Sequence, residues 1–201
     1  MTLKIMGRPK KEDTLTQQDI IQAAIACIEK EGESALGVNR VARELGIKPP
    51  AIYKHFDGNA GLKKAVALEI NRKLHGYLQA KTIEFKNQPR EYFKAAGRAS
   101  REFAKFHSGL YRVMMRFQLQ PNDPESLAIV KDFQDFFRTG LISEDLSETK
   151  LIDTMRTINS AIVGFIALEQ TGLLTLPRST DESFEVMLDA LFVAIEHIKN
   201  R

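Results

Sequence analysis

Apolar residues recur every three or four positions along most of the chain, which is the spacing of one face of an α-helix. Ile21, Ala24, Ile25 and Ile28 show this spacing in the first such segment. No segment shows sustained two-residue alternation, and no Asn-Gly or Asp-Gly pair separates two apolar runs, so neither strands nor hairpins are indicated. The pattern predicts an all-α protein of about nine helices.

Capping and breaking residues set the bounds of the first helices. Thr16 and Asp19 have the spacing of a capping box, and Gly32 follows the last apolar position of that helix. A short helix is expected over residues 38–45, and another from Pro49 to about His55, because proline is tolerated in a first helical turn.

A long helix is expected to begin near Asn59. Helix-breaking Gly, Pro and Ser residues in the second half of the chain predict about five further helices. Eleven of the twelve Phe follow residue 80, which assigns the aromatic core to the second part of the chain. We therefore expect a flexible basic arm (1–14), a three-helix N-terminal domain (15–60) and a helical C-terminal domain (61–201). The breakers are Pro89, Ser108-Gly109, Pro121 to Pro124, Gly140 and Gly172 to Pro177.

Composition narrows the class of protein. The 201 residues are 43% hydrophobic and 27% charged, no apolar run approaches the ~20 residues that cross a bilayer, and no signal-peptide pattern is present, so a cytoplasmic protein is expected. Cys27 is the only cysteine, which excludes an intrachain disulfide and a cysteine-built zinc site, and we expect it to be buried. Residues 1–80 hold 13 Lys and Arg against 9 Asp and Glu, a net +4 that favours a nucleic-acid partner only slightly.

The sequence lacks the common catalytic motifs. It has no P-loop, no G-x-G-x-x-G after a strand, no H-E-x-x-H and no nucleophile elbow, and its four His are scattered. Neither an enzyme nor a cofactor or metal is therefore expected.

Residues 37–56 have the pattern of a helix-turn-helix, in which the first helix braces the second across a tight turn. This needs a small residue at the contact, a glycine in the turn and apolar anchors, and Ala42, Gly46 and Ile52 meet these needs. Two short helices joined by a glycine also occur in purely structural roles. If the segment reads DNA, phosphate, thymine-methyl and base-edge contacts are expected from Asn39, Arg40, Lys48, Pro50, Ala51, Tyr53, Lys54 and His55.

The stretch SALGVNRVARELGIKPPAIYKHF, from Ser34 to Phe56, resembles the TetR/AcrR family of transcription regulators. The resemblance implies that residues 15–60 form a DNA-binding domain and that residues 61–201 form a ligand-binding and dimerisation domain. It also implies a homodimer, an approximately palindromic operator, a small-molecule effector, and DNA contacts at Val38 and Asn39. The sequence departs from the family pattern in three respects. Gly37 and Val38 replace a hydroxyl residue, Lys48 replaces a helix-capping Ser or Thr, and Asn59 replaces a lysine, whose charge we expect Lys48 to restore.

A basic pentad, Gly7-Arg8-Pro9-Lys10-Lys11, precedes the helix-turn-helix and is similar to an AT-hook. Arg8 and Lys10 are expected to enter an A/T-rich minor groove, whose narrow width enhances its negative potential. A solvated tail without a DNA role is the alternative. A DNA-compacting protein without operator preference is a further alternative, and the arm is its only support in the sequence.

Residues 97–116 and 160–174 resemble a TetR subgroup named for a Trp-His-Gly motif, of which only Gly164 survives, because Asn159 and Val163 replace the other two residues. Met and Phe side chains form adaptable apolar walls, and Glu169 is expected to be a lone carboxylate that orients a ligand. Ordinary core packing is the alternative for each. The ligand candidates are Phe103, Phe106, Tyr111, Met114, Met115, Phe117, Phe133, Phe137, Phe165 and Glu169.

The last two helices carry apolar stripes at four- and three-residue spacing, which are suited to a four-helix dimer interface or to the chain's own core. With the family resemblance, the dimer is the stronger expectation. The function expected is a repressor that leaves its operator when a small, largely apolar ligand binds, with an activator as the alternative. The stripe residues assigned to the interface are Met155, Ile158, Ile162, Phe184, Leu188, Leu191 and Ile195.

Overall fold

The computed structural model describes residues 15–141 and 147–200, with the side chain of Leu141 excepted. Within these ranges it contains nine α-helices and no strand, which confirms the all-α prediction. Single 3₁₀ turns lie at Glu33–Ala35 and Ile83–Phe85. The helices are α1 (Gln17–Glu31), α2 (Val38–Leu45), α3 (Pro49–Tyr53), α4 (Gly58–Thr82), α5 (Pro89–Phe106), α6 (Ser108–Arg116), α7 (Pro124–Leu141), α8 (Glu148–Gln170) and α9 (Thr180–Asn200).

The start and end of α1 are those that the sequence predicts. The Thr16 hydroxyl accepts the Asp19 N–H at 3.1 Å, and the Asp19 carboxylate accepts the Thr16 N–H at 2.9 Å, which completes the capping box. Gly32 ends the helix with φ 86°, a conformation that favours glycine. Cys27 is buried in α1, and this burial raises the pKa of its thiol.

The described residues pack as two compact units. The N-terminal unit comprises the residues up to Ile70 together with His107–Gln118, and the C-terminal unit comprises Asn71–Phe106 together with the residues from Leu119 onward. Helix α4 therefore contributes to both units, and α6 belongs to the N-terminal one. The assignment of arm, DNA-binding and ligand-binding functions to three consecutive segments remains a prediction.

In the N-terminal unit, α1 packs against both α2 and α6. A Cβ added at Gly109, in the first turn of α6, would lie 3.0 Å from the Ile28 carbonyl oxygen, so these two helices approach closely. The core is aliphatic. It includes Ile20, Ala24, Ile28, Val41, Ile52, Leu62, Val66 and Leu110.

In the C-terminal unit, α5 packs against α7, α8 and α9. The apolar stripes of α8 and α9 face this core, so the prediction that they face a partner subunit is wrong for the six predicted residues that are buried within the chain. Met155 is half-buried. The other six predicted interface residues are buried within the chain: Ile158, Ile162, Phe184, Leu188, Leu191 and Ile195.

A row of ion pairs joins α5 to α9. The Lys94 ammonium lies 2.9 Å from an Asp189 carboxylate oxygen. Arg98 Nε lies 2.6 Å from a Glu185 carboxylate oxygen. Arg101 donates to Glu169 on α8 and lies 2.8 Å from Asp181 on α9. Its guanidinium carbon is also 4.9 Å from the centre of the Phe184 ring, a cation–π distance.

Gly97 lies where α5 meets α9. A Cβ added there would lie 2.5 Å from Leu188 Cδ2, whereas a Cβ at Gly76, in the exposed part of α4, would meet nothing within 4 Å. We predict that Gly97→Ala lowers the free energy of unfolding by roughly 1–3 kcal/mol through overpacking. Gly76→Ala should raise it by about 1 kcal/mol, because alanine is the better helix former. Chemical denaturation measures both, and equal effects would contradict the tight contact.

Candidate DNA-binding surface

A left-handed glycine forms the turn between α2 and α3. Gly46 has φ 68°, and the Ile47 N–H donates to the Ala42 carbonyl at 3.0 Å, which closes the end of α2. Pro49 and Pro50 occupy the first turn of α3, where their missing N–H groups cost little. Ala42 and Ile52 are buried, as a brace between the two helices requires.

The surface formed by α2, α3 and the residues at the ends of α3 is the candidate DNA-binding surface. Five of the predicted DNA-contacting side chains are exposed on it: Asn39, Lys48, Pro50, Tyr53 and Lys54. Tyr53 is 52% exposed although it is large and aromatic. His55 is half-buried, and its carbonyl accepts a hydrogen bond from Gln17 Nε2 at 2.9 Å, which ties the end of α3 to α1.

Two predicted contacts are wrong at the level of side chains. Val38 is 1% exposed and Ala51 is 4% exposed, because both side chains belong to the core of the N-terminal unit. Ala51 therefore does not present its methyl group to a thymine. Val38 has only backbone groups to offer, and its N–H is already bonded to the Asn59 side chain.

Arg40 is held by two carboxylates of its own chain. Its guanidinium donates to Glu31 on α1, at 2.9 Å from Nε to Oε2, and to Glu44 on α2 at 2.7 Å. The hydrogen bonds from Arg40 lower the pKa of the Glu31 carboxyl. These contacts fix α2 against α1, so Arg40 positions the helix and the prediction of a base contact loses its support.

The sequence reasoning missed Arg43, which is exposed on α2 one turn beyond Asn39. Among the residues that the structure describes, Arg43 forms no ion pair. The signal that could have identified it is the four-residue spacing from Asn39, which places both side chains on one helix face.

Asn59 supplies the cap that Gly37 lacks. Gly37 is the N-cap residue of α2 and has no side chain, and Asn59 Oδ1, from the first turn of α4, accepts the Val38 N–H at 2.9 Å. The departure from the family pattern at residue 59 thus has a local function, because an amide oxygen can accept this hydrogen bond and a lysine ammonium cannot. Arg8 and Lys10, the predicted minor-groove contacts, lie outside the described residues.

The residues predicted to form one ligand site fall into both units. Tyr111, Met114, Met115 and Phe117 belong to the N-terminal unit, and burial raises the pKa of Tyr111 to about 12. Phe106 is 71% exposed and therefore no part of an enclosed wall. Glu169 is bonded to Arg101, so the prediction of a lone carboxylate is wrong. The remaining candidates, in the C-terminal unit, are Phe103, Phe133, Phe137 and Phe165.

The C-terminal unit contains a cleft of about 470 Å³ between α4, α5 and α7, a volume in the range of small-molecule sites. Phe133 contacts His75, which lines it, with ring centres 5.4 Å apart, and Phe137 lies 5.7 Å from Phe136. No group of three His, Cys, Asp or Glu in residues 15–141 and 147–200 is arranged to hold a metal. The lining residues are His75, Gln79, Ala80, Thr82, Ile83, Lys86, Tyr92, Asp132, Asp135, Phe136 and Thr139.

Comparison with protein families identifies both parts of the chain. Residues 20–66 match the bacterial regulatory proteins of the tetR family, and residues 93–191 match the tetracyclin repressor-like C-terminal domain. The chain is a member of the TetR family. It is accordingly a DNA-binding transcriptional regulator, and the surface described above is its helix-turn-helix.

Full-length relatives support this assignment to the TetR family. An uncharacterized HTH-type transcriptional regulator of Mycobacterium tuberculosis, Rv0681, is 28% identical over 96% of this chain and 86% of its own length. The nucleoid occlusion factor SlmA of Actinobacillus pleuropneumoniae is 26% identical over 78% and 80%.

Solved structures show the same fold at low sequence identity. ActR of Streptomyces coelicolor, in its apo form, superposes with a TM-score of 0.68 at 17% identity and covers 92% of this chain and 97% of its own. TetR of Acinetobacter baumannii AYE gives 0.66 at 17%, with 92% and 99% covered.

The cap on α2 of this TetR-family protein can be tested directly. We predict that Asn59→Ala lowers the free energy of unfolding by about 1 kcal/mol, because the Val38 N–H loses its acceptor. Adding Gly37→Ser to this variant should restore the stability, because a serine at an extended N-cap accepts the same kind of hydrogen bond. The added Cβ meets only ordinary contacts. Asn39→Ala is the control, because it removes an exposed asparagine side chain of α2 that does not cap the helix. A failure of the double variant to recover stability would contradict the assignment.

Proposed function

We propose that this TetR-family protein is a sequence-specific repressor that binds an approximately palindromic operator as a homodimer and releases it when an effector binds. Its action is binding and not catalysis, and its place is the cytoplasm. The observation that carries the DNA-reading part is the exposed basic face of α2 and α3, which is held in place by Arg40 and Asn59 of the same unit.

Helix α3 is the recognition helix in this proposal. The exposed cations at its two ends, Lys48 and Lys54, and the Tyr53 hydroxyl suit phosphate oxygens, which position a protein without reading sequence. The helix contains no Arg, Asn or Gln for a bidentate base contact. Base reading is therefore assigned to Asn39 and Arg43 on α2, with Arg8 of the arm in the minor groove.

The purified protein should bind DNA from upstream of its own gene more tightly than a scrambled duplex of equal length at one fixed salt concentration. Specific binding typically exceeds non-specific binding by 10³-fold or more. Equal affinity for the two duplexes would contradict a sequence-specific regulator and would favour the DNA-compacting alternative.

Arg43 and Arg40 are expected to give opposite patterns on substitution. Arg43→Ala should weaken operator binding by roughly tenfold or more and leave the melting temperature unchanged, because it removes an exposed reader. Arg40→Ala should lower the melting temperature, because it frees α2 from Glu31 and Glu44. Arg112→Ala, at an exposed position of α6 outside the proposed dimer interface, is the matched control. Unchanged operator affinity in Arg43→Ala would remove this residue from the reading surface.

The proposed dimer uses the faces of α8 and α9 opposite to the buried stripes. On α9, Val186 is 57% exposed and Val193 is 69% exposed. On α8, a Cβ at Gly164 would meet open space, so a partner helix can approach closely there. By length and composition α8 is also apolar enough to cross a membrane, and 28% of its apolar window is buried in the chain. In the proposed dimer, the helices of the partner subunit would cover the exposed part.

Val193→Glu tests this face. It should shift the protein from dimer to monomer in analytical ultracentrifugation, because it places a charge where apolar surface is to be buried. Leu127→Glu is the control, since Leu127 is 50% exposed on α7, outside the proposed interface. The proposal fails if both variants leave the protein dimeric, or if both dissociate it.

We propose the cleft between α4, α5 and α7 as the effector site. Helix α4 lines it with His75, Gln79, Ala80 and Thr82, and the same helix begins with Asn59, the cap of α2. An effector in the cleft therefore contacts a helix that also supports the DNA-reading surface. Ligand-induced release requires that the effector bind the DNA-free conformation better than the DNA-bound one.

A further inference from the structure

We infer that the effector cleft takes an aromatic organic cation, with its ring on the floor of the cleft and its ammonium group at the α7 rim. This inference rests on the proposed effector role of the cleft and adds the chemical class of its ligand. It also changes the expectation from the sequence, which was a largely apolar ligand.

The floor of the cleft is aromatic. The ring centres of Tyr92 and Phe136 are 5.2 Å apart, and those of His75 and Phe136 are 5.9 Å apart. The Tyr92 hydroxyl donates to the Phe136 carbonyl at 3.2 Å, which holds α5 and α7 together under the cleft. A flat ring can pack on such a surface, and aromatic faces also attract cations.

His75, which lines the cleft, has a buried polar atom that the described residues leave unsatisfied. His75 Nε2 is buried and has no hydrogen-bond partner among them. A buried polar atom without a protein partner is costly, so such atoms in native structures commonly bond to a water, an ion or a ligand. In the Nδ1-protonated neutral ring, Nε2 is an acceptor, so a ligand N–H would satisfy it.

The rim on α7 carries two carboxylates at three-residue spacing, Asp132 and Asp135. Asp135 is already paired with Lys131, whose Nζ lies 2.6 Å from it. The Asp132 carboxylate accepts no hydrogen bond from the residues that the structure describes. Against the two carboxylates, the lining residues include one ammonium, that of Lys86.

Because the Asp132 carboxylate and the neutral His75 Nε2 are both acceptors, they favour a ligand that donates hydrogen bonds. An alkylammonium carries three N–H donors, which can serve both a carboxylate and a neutral imidazole nitrogen, and bonds to a carboxylate are the stronger charge-assisted type. A ligand carboxylate has acceptors only, so it can pair with neither Asp132 nor an accepting Nε2. Its one cationic partner in the lining would be Lys86, which is exposed.

The test uses three probes with one ring: 1-naphthylmethylamine, 1-naphthylmethanol and 1-naphthoate, titrated into the full chain by calorimetry at pH 7 and fixed ionic strength. The amine should bind at least tenfold more tightly than the alcohol, and the naphthoate should be the weakest. Equal or tighter binding of the alcohol or the naphthoate, or no binding of the amine, would overturn the inference.

Variants then locate the site. Asp132→Asn should reduce amine affinity to that of the alcohol and leave alcohol binding unchanged, whereas Glu148→Gln, which neutralises an exposed carboxylate of α8, should change neither. His75→Leu should weaken amine binding at least fivefold while the melting temperature stays equal or rises, because the unsatisfied atom is gone. Full amine affinity in Asp132→Asn or in His75→Leu would overturn the assignment to this cleft.

The operator assay separates this inference from the proposed function. If the protein prefers its operator over scrambled DNA but the amine does not bind more tightly than the other two probes, the ligand class is wrong. The proposal of a sequence-specific regulator then still stands. If the protein binds operator and scrambled DNA equally, the proposed function fails, whatever the probes do.

Discussion

The packing of α9 on α5 organises the C-terminal unit. Leu188 lies so close to Gly97 that a Cβ there would force the Leu188 side chain to move, and ion pairs such as Lys94 with Asp189 flank the contact. Because the apolar stripes of α8 and α9 are buried in this way, their opposite faces point to solvent. Val186 and Val193 on that outward face then become the surface that a second subunit can bury.

The DNA-binding unit shows a comparable division of its charged groups. Arg40 is bonded to Glu31 and Glu44 and stabilises the position of α2, whereas Arg43 on the same helix is exposed. Asn59 adds a hydrogen bond to the first turn of α2. Accurate positioning matters for base readout, since hydrogen bonds to base edges depend on distance and direction.

The cleft proposed as the effector site combines groups that the sequence scatters over some sixty residues. His75 comes from α4, Tyr92 from α5, and Asp132 and Phe136 from α7. The aromatic rings alone would suit an apolar ligand. The unsatisfied nitrogen of His75 and the carboxylate of Asp132 change that expectation, because both accept hydrogen bonds.

The sequence by itself determined the helical class, the capping box at Thr16, the glycine turn at Gly46 and the family, because hydrogen bonds and apolar periodicity within a few residues encode them. Tertiary structure decided which face of α9 is buried, that Asn59 caps α2, and that Glu169 pairs with Arg101. Those outcomes depend on groups 21 and 68 residues apart in the chain. A stripe or a charge in the sequence shows that a partner is needed, but only the fold shows which partner lies within reach.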